Sequence, residues 1–132
     1  MQTASKHVKA RMVDDQLVAK LLNVRSLYDQ SLILEIGTAL KQLLAQARVR
    51  RMILNLSEIE FTATEMIARL VSLNRQARKA QIGLVLCELG PSLADSLKVL
   101  GLEKLFEIRT TEAEAIETQV HDASKETLEY PV

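Results

Sequence analysis

Cys87 is the side chain in this sequence with the greatest intrinsic reactivity, because a thiolate is a strong nucleophile. It ends the apolar run from Ile82 to Cys87, and neither histidine is near it in sequence, so no base can be named that would activate it. A thiol in an apolar strand usually behaves as a small hydrophobic group. We therefore interpret Cys87 as a core residue and expect the chain not to be an enzyme.

Other patterns that carry chemistry were sought and are missing from the sequence. The histidines, His7 and His121, sit in the two ends of the chain, where solvated surface positions are expected rather than metal ligands. The phosphate-cradling patterns GxGxxG and GxxxxGK[ST] do not occur, and neither does the nucleophile pattern GxSxG. The sequence therefore predicts no catalytic residue, no metal and no cofactor.

The segment Thr62-Ala63-Thr64-Glu65 stands just before an apolar pattern of helical spacing. It matches the capping box Thr-x-x-Glu, in which Thr62 would accept a backbone N–H and Glu65 would reach back to the N–H of Thr62. Such a pair would stabilise the helix by about 1 kcal/mol. Capping alone is therefore one complete explanation of this segment.

Hydrophobic periodicity predicts the elements that hold these residues. Val8, Ala10 and Met12 alternate with polar residues, and the pair Asp14-Asp15 forms a turn to a second strand at Gln16 to Leu22. The later elements are predicted in this order: a helix from Asp29, its N-cap, to Ala47; a strand from Arg51 to Leu56; a helix from Ala63 to Ala80; a strand from Ile82 to Cys87; a helix from Ser92 to Leu100, with Pro91 at its start and Gly101 after its end; a strand from Leu105 to Ile108; and a helix opened by Thr111 with Glu114.

Strands that alternate with helices indicate an α/β layer fold. The opening hairpin adds an antiparallel pair, so we predict a mixed central sheet of about four to five strands, with four helices packed against it. A length of 132 residues fits a single domain over 1–132. We expect a loose N-terminus at 1–6 and a frayed tail at 121–132.

The net charge and the composition limit the kinds of partner that we expect this chain to bind. The 17 basic residues balance 17 acidic residues, which gives no electrostatic reason to expect nucleic acid or an anionic membrane. There are two Phe, two Tyr and no Trp, too few for a base-stacking platform. A single cysteine and no long apolar stretch are typical of a cytoplasmic protein.

The ordered motifs between Met52 and Ile116 resemble a known family. They are a strand Ile53-Leu54-Asn55-Leu56-Ser57, the turn residue Phe61 before a helix, a strand that ends at Cys87, the start Gly90-Pro91-Ser92-Leu93, and the closing run Gly101-Leu102-Glu103-Lys104-Leu105-Phe106-Glu107-Ile108. In this order and spacing they resemble the STAS domain, the family of the anti-sigma factor antagonists. The likeness covers nearly the whole chain and implies the STAS fold.

The resemblance also implies a function. In the bacterial regulators of the family, the turn after the central strand usually reads Asp-Ser/Thr-Ser/Thr-Gly, and a hydroxyl there is phosphorylated by a partner kinase. The phosphate places about two negative charges on a surface that the partner must cover, so docking becomes unfavourable. Here Ala63, Thr64, Glu65 and Met66 occupy the turn. Thr64 falls on the first hydroxyl position and is the candidate phosphorylation site. Glu65 falls on the second hydroxyl position, where it acts either as a fixed negative charge or only as a helix cap.

We therefore expect a protein-binding module of a partner-switching pathway, regulated by phosphate at Thr64. Its implied partners are an anti-sigma factor or related serine/threonine kinase, and a phosphatase. The alternative is a constitutive STAS scaffold or oligomer building block, such as a homodimer, whose switch is lost. The candidate partner-binding residues are Thr62, Ala63, Thr64, Glu65, Met66 and Arg69.

Overall fold

The computed structural model describes residues 5–117 and contains the predicted elements, with ends that differ by one or two residues. The strands and helices are β1 (Val8–Val13), β2 (Gln16–Leu21), β3 (Ser26–Leu27), α1 (Gln30–Gln46), β4 (Arg51–Asn55), β5 (Phe61–Thr62), α2 (Thr64–Lys79), β6 (Gly83–Cys87), α3 (Pro91–Val99) and β7 (Glu107–Arg109). A fourth helix, α4, is described over 112–117. Residues 1–4 and 118–132, which include most of the expected loose N-terminus, the expected frayed tail and His121, lie outside the described part.

The main sheet has five strands in the order β1-β2-β4-β6-β7. The β1 and β2 strands are antiparallel, and the other neighbours are parallel, so the predicted mixed α/β sheet is confirmed. The hairpin turns between Val13 and Gln16, and Asp14 has a φ of 55° there. Aspartate tolerates this left-handed conformation better than most residues, which explains the Asp-Asp pair.

Both faces of the main sheet are covered, because the central strands are apolar on both sides. All five residues of β4 are buried. One face, which includes Leu54 and Leu86, packs with the large core that α1, α2 and α3 share. The other face carries a smaller cluster of Val18, Ile53, Val85 and Cys87, covered by Ala115 of α4. The last described helix therefore lies on the opposite side of the sheet from α1 and α2.

The sequence did not predict β3 and β5, which form a separate two-stranded parallel sheet. Ser26 pairs with Phe61, and Leu27 pairs with Thr62. Strands of two residues show no alternation, so periodicity cannot reveal them. Since α1 and α2 begin just after these strands, the small sheet sets where both helices start.

Helix ends follow their predicted signals in three of the four cases. The Asp29 carboxylate accepts the backbone N–H of Leu32 over 3.0 Å and caps α1, and Pro91 opens α3. Thr111 accepts the backbone N–H of Glu114 over 3.0 Å at the start of α4. Gly101 follows α3 with a φ of 72°, which suits glycine. Within residues 5–117, no helix is both long and apolar enough to cross a membrane.

Candidate protein-binding site

The start of α2 differs from the predicted capping box. Ala63 is the N-cap residue, and no side chain caps the helix. The Thr62 hydroxyl instead lies in β5 and donates toward the carbonyl oxygens of Leu27 and Ala63, each 3.4 Å away. The capping-box interpretation is therefore wrong, because pairing with β3 holds Thr62 in a strand. The helix begins one residue too late for Glu65 to stand in the third helical position that the box requires.

The candidate residues at this helix start fall into two groups. Thr64 and Glu65 are exposed at the first two positions of α2. Thr62 and Ala63 are half-buried beside them, whereas Met66 is 2% exposed and belongs to the core. The structure thus brings Thr64 and Glu65 together on the surface, while the Met66 side chain packs in the core beneath the start of α2.

Arg69, the remaining candidate, lies one turn further along α2 and is half-buried. Its aliphatic stem packs over Gly37 of α1, where an added Cβ would lie 3.4 Å from Arg69 Cδ. At this distance an added methyl group would make an ordinary contact, whereas a larger side chain would displace the Arg69 stem. Gly37 and Arg69 therefore pack against each other where α1 and α2 cross.

An open apolar groove of about 410 Å³ runs along α2 beside the end of α3, and the sequence interpretation missed it. Leu100, one of its lining residues, is 46% exposed. The available signal was the helical spacing of Thr64, Ala68, Val71 and Arg75. The groove lining consists of Thr64, Ile67, Ala68, Val71, Ser72, Arg75, Leu100 and Leu102.

Two exposed aromatic side chains lie beside the start of α2. Phe61 is 47% exposed and Tyr28 is 57% exposed. Phe61 pairs with Ser26 in the small sheet, and Tyr28 directly follows Leu27, the last residue of the neighbouring strand β3. Aromatic side chains are enriched at protein interfaces, so these two extend the exposed surface around Thr64 and Glu65.

Cys87 lies in the core, as expected. It is fully buried, and its thiol lies 3.7 Å from the carbonyl oxygen of Leu54. Burial, reinforced by the negative charges of Glu112 and Glu88, raises the pKa of this thiol to about 12. At neutral pH the group is therefore a neutral thiol and a poor nucleophile.

The hydrogen bonding of His7 places it at the open end of the first hairpin. It is half-buried, and its Nδ1 lies 3.1 Å from the carbonyl oxygen of Leu22. Among residues 5–117, no three His, Cys, Asp or Glu side chains form a group that could hold a metal ion.

The order of the strands and helices, with the exposed start of α2 between β5 and the groove, defines an α/β protein of the STAS fold. The family model described as "STAS domain" matches residues 12–115. The chain belongs to the STAS domain family.

Solved structures share this fold. RsbS from Moorella thermoacetica, in a variant form, is 18% identical, with a TM-score of 0.75, and the match covers 90% of this chain and 99% of that one. The unphosphorylated anti-sigma factor antagonist SpoIIAA is 20% identical, with a TM-score of 0.69 and coverage of 87% and 96%. An anti-sigma factor antagonist from Mycobacterium paratuberculosis is 16% identical, with a TM-score of 0.69 and coverage of 84% and 91%. No curated protein matches the sequence.

Proposed function

We propose that this chain is an anti-sigma factor antagonist-like binding module that acts in a cytoplasmic partner-switching pathway. It docks an anti-sigma factor or related serine/threonine kinase at the start of α2, and it does not act as an enzyme. The observation that carries the proposal is the position of Thr64, an exposed hydroxyl at the first residue of α2 in a STAS domain. Support also comes from the nearby exposed Phe61 and Tyr28.

In this proposal Thr64 is the residue that receives the phosphate. Its side chain is exposed, and Ala63 offers no capping oxygen that would compete for the first backbone N–H groups of α2. Such groups stabilise a phosphate at a helix start. A doubly charged group next to the Glu65 carboxylate would make this surface strongly negative and turn away a partner that docks on the neutral form. A phosphatase would then reset the module.

The test is phosphorylation by anti-sigma factor kinases of the source organism, each incubated with the full chain and Mg-ATP and followed by intact mass. One phosphoryl group is expected on the natural chain and on Thr62→Ala, the matched hydroxyl control, but none on Thr64→Ala. A chain that gains no mass with any kinase, or a Thr64→Ala variant that still gains it, would contradict regulation at Thr64.

The second candidate function is a constitutive STAS scaffold that has lost the switch. Glu65 favours it, because an exposed carboxylate beside Thr64 supplies a permanent negative charge at the helix start. Under this alternative, Thr64→Ala leaves partner binding unchanged and Glu65→Arg weakens it. Pull-down of the natural chain with the same kinase, before and after phosphorylation, separates the candidates, since the switch model predicts that phosphorylation abolishes binding and the scaffold model predicts no change.

A further inference from the structure

The groove face of α2 is an exposed apolar surface with a charged residue near each end. The stripe Thr64, Ala68, Val71 and Arg75 repeats at spacings of four, three and four along the helix, and all four residues line the groove. This is the spacing by which one helix packs along another. Ala68 and Ser72 at its centre are small, so another helix can approach the backbone closely.

Two charged groups of opposite sign lie near the ends of this stripe: Arg75 lines the groove, whereas Glu65 follows Thr64 in the sequence and is not among the lining residues. Glu65 stands at the beginning of α2, and Arg75 stands ten positions later, about 15 Å along the helix. Both are exposed, and within residues 5–117 neither forms an ion pair with another side chain. The stripe is therefore apolar in the middle and basic at one end, and an acidic residue stands beside its other end.

Such a stripe complements itself when a second copy is turned about a two-fold axis. With the axis opposite the middle of α2, two antiparallel α2 helices place Glu65 of each chain beside Arg75 of its partner. A two-fold interface uses the same patch on both chains, so one arrangement satisfies both ends at once. In the same arrangement the second copy covers the exposed side chain of Leu100, which lines the groove.

We propose that the groove face of α2 binds a second copy of this chain, in an antiparallel two-fold dimer held by two Glu65–Arg75 pairs around the apolar stripe. This inference is independent of the proposed kinase and of phosphorylation. Its consequence is that Thr64 lies inside the dimer interface. Self-association and the docking of any other protein at the start of α2 then exclude each other.

The test is the mass of the full chain in solution across a wide concentration range, by sedimentation equilibrium or light scattering. The average molecular mass of the natural chain is expected to rise with concentration, from the mass of one chain toward that of two. Arg75→Glu and Glu65→Arg each place like charges at both ends, so each is expected to weaken the dimer by at least about 10-fold. Arg48→Glu makes the same charge change on the exposed loop after α1 and should leave the dimer unchanged.

Mixing the two single variants tests whether Glu65 of one chain pairs with Arg75 of the other. Arg75→Glu and Glu65→Arg chains, each alone a poor dimer, should form a mixed dimer because both ends are again opposite in charge. The double variant Glu65→Arg/Arg75→Glu should likewise dimerise with itself. A natural chain that stays a monomer at every concentration overturns the proposal. So do single variants that dimerise as well as the natural chain, or two variants that fail to rescue each other.

Discussion

The side-chain amide of Asn55, at the end of β4, donates a 2.6 Å hydrogen bond to the carboxylate of Glu112, the first described residue of α4. Arg11 of β1 donates to the same carboxylate, and the backbone N–H of Glu112 donates to Glu88 over 2.8 Å. These bonds fasten the beginning of α4 to three strands or strand ends. The helix that covers Cys87 is thus held at its start by polar contacts.

Replacing Asn55 by alanine is expected to lower the free energy of unfolding by about 1.5–3 kcal/mol, because a nearly buried hydrogen bond to a carboxylate is lost. Asn55 also accepts the backbone N–H of Ser57, which adds to the loss. Urea unfolding followed by circular dichroism measures the change. Gln42→Ala, at an exposed position of α1, is the control and should stay within about 0.5 kcal/mol of the natural chain. Equal effects of the two changes would contradict this role.

Glu112 makes stability depend on pH. Burial alone would raise the pKa of its carboxyl, but hydrogen bonds from Arg11 and Asn55 and the charges of Arg11 and Lys20 lower it overall. A pKa lower in the folded state than in the unfolded chain, where it is about 4.3, gives stability that is present above that pH. That stability is lost as the pH falls through the folded pKa.

The variant Glu112→Gln is therefore expected to be less stable than the natural chain at neutral pH, with a gap that narrows in acid. Urea midpoints measured from neutral pH down to about one unit below the ordinary glutamate pKa follow the difference. Glu117→Gln, a change of the same kind at an exposed position of α4, should shift the curve little. A gap of constant size at every pH would exclude the linkage.

The reactivity of Cys87 reports on the fit of α4 against the sheet. With a buried thiol and a pKa of about 12, the folded chain is expected to react with DTNB at pH 8 far more slowly than free glutathione does. The unfolded chain should release one equivalent at once, since it holds one cysteine. A Cys87→Ala/Thr38→Cys chain, with its thiol on an exposed position of α1, should react rapidly while folded. Rapid labelling of the natural chain would mean that α4 does not protect the thiol.

Gly37 should tolerate one added methyl group but no large side chain. Gly37→Ala is expected to raise the free energy of unfolding by about 0.5–1 kcal/mol, because alanine favours the helix. Its Cβ would meet the flexible Arg69 stem at an ordinary contact distance of 3.4 Å. Gly37→Leu is expected to cost about 1–3 kcal/mol, because the side chain must displace that stem. Thermal unfolding measures both, and destabilisation by both changes alike would show that the space at Gly37 is closed.

Ala63 is the position at which α2 lacks a cap. Its extended backbone, with φ −74° and ψ 152°, suits an N-cap residue, so Ala63→Asp is expected to stabilise the chain by about 1 kcal/mol. Thr62→Ala should cost less than about 0.5 kcal/mol, because its hydroxyl makes only 3.4 Å contacts and caps nothing. Denaturant midpoints compare the two. If Thr62→Ala lowers the free energy of unfolding by more than Ala63→Asp raises it, the capping-box interpretation would be supported.

The main sheet and its helices could be predicted because their signals are local. The apolar run around Ile53, the alternation of Val8 and Ala10, and the cap at Asp29 each depend on neighbours in the sequence. The start of α2 was predicted one residue too early. Thr62 pairs with Leu27, which is distant in the sequence, and does not form a capping box with Glu65. The capping pattern alone does not show that its first residue, Thr62, lies in a strand.

The polar contacts of α4, and the part of the groove that the end of α3 forms, could not be found from the sequence. Arg11 and Glu112 are 101 positions apart, and Asn55 and Glu112 are 57 apart, so only the folded sheet brings them together. The exposure of Val99 and Leu100 likewise depends on where α3 ends over α2. By contrast, the resemblance carried by residues between Ile53 and Ile108 was sufficient to identify the family.

The β3–β5 sheet makes α1 and α2 mechanically dependent on each other at their starts. Leu27 precedes α1 by only a few residues, Thr62 immediately precedes the cap of α2, and backbone pairing joins the two. Any displacement of Thr62 would therefore also displace Leu27, because backbone hydrogen bonds join the two segments. We expect the starts of α1 and α2 to shift together rather than one at a time.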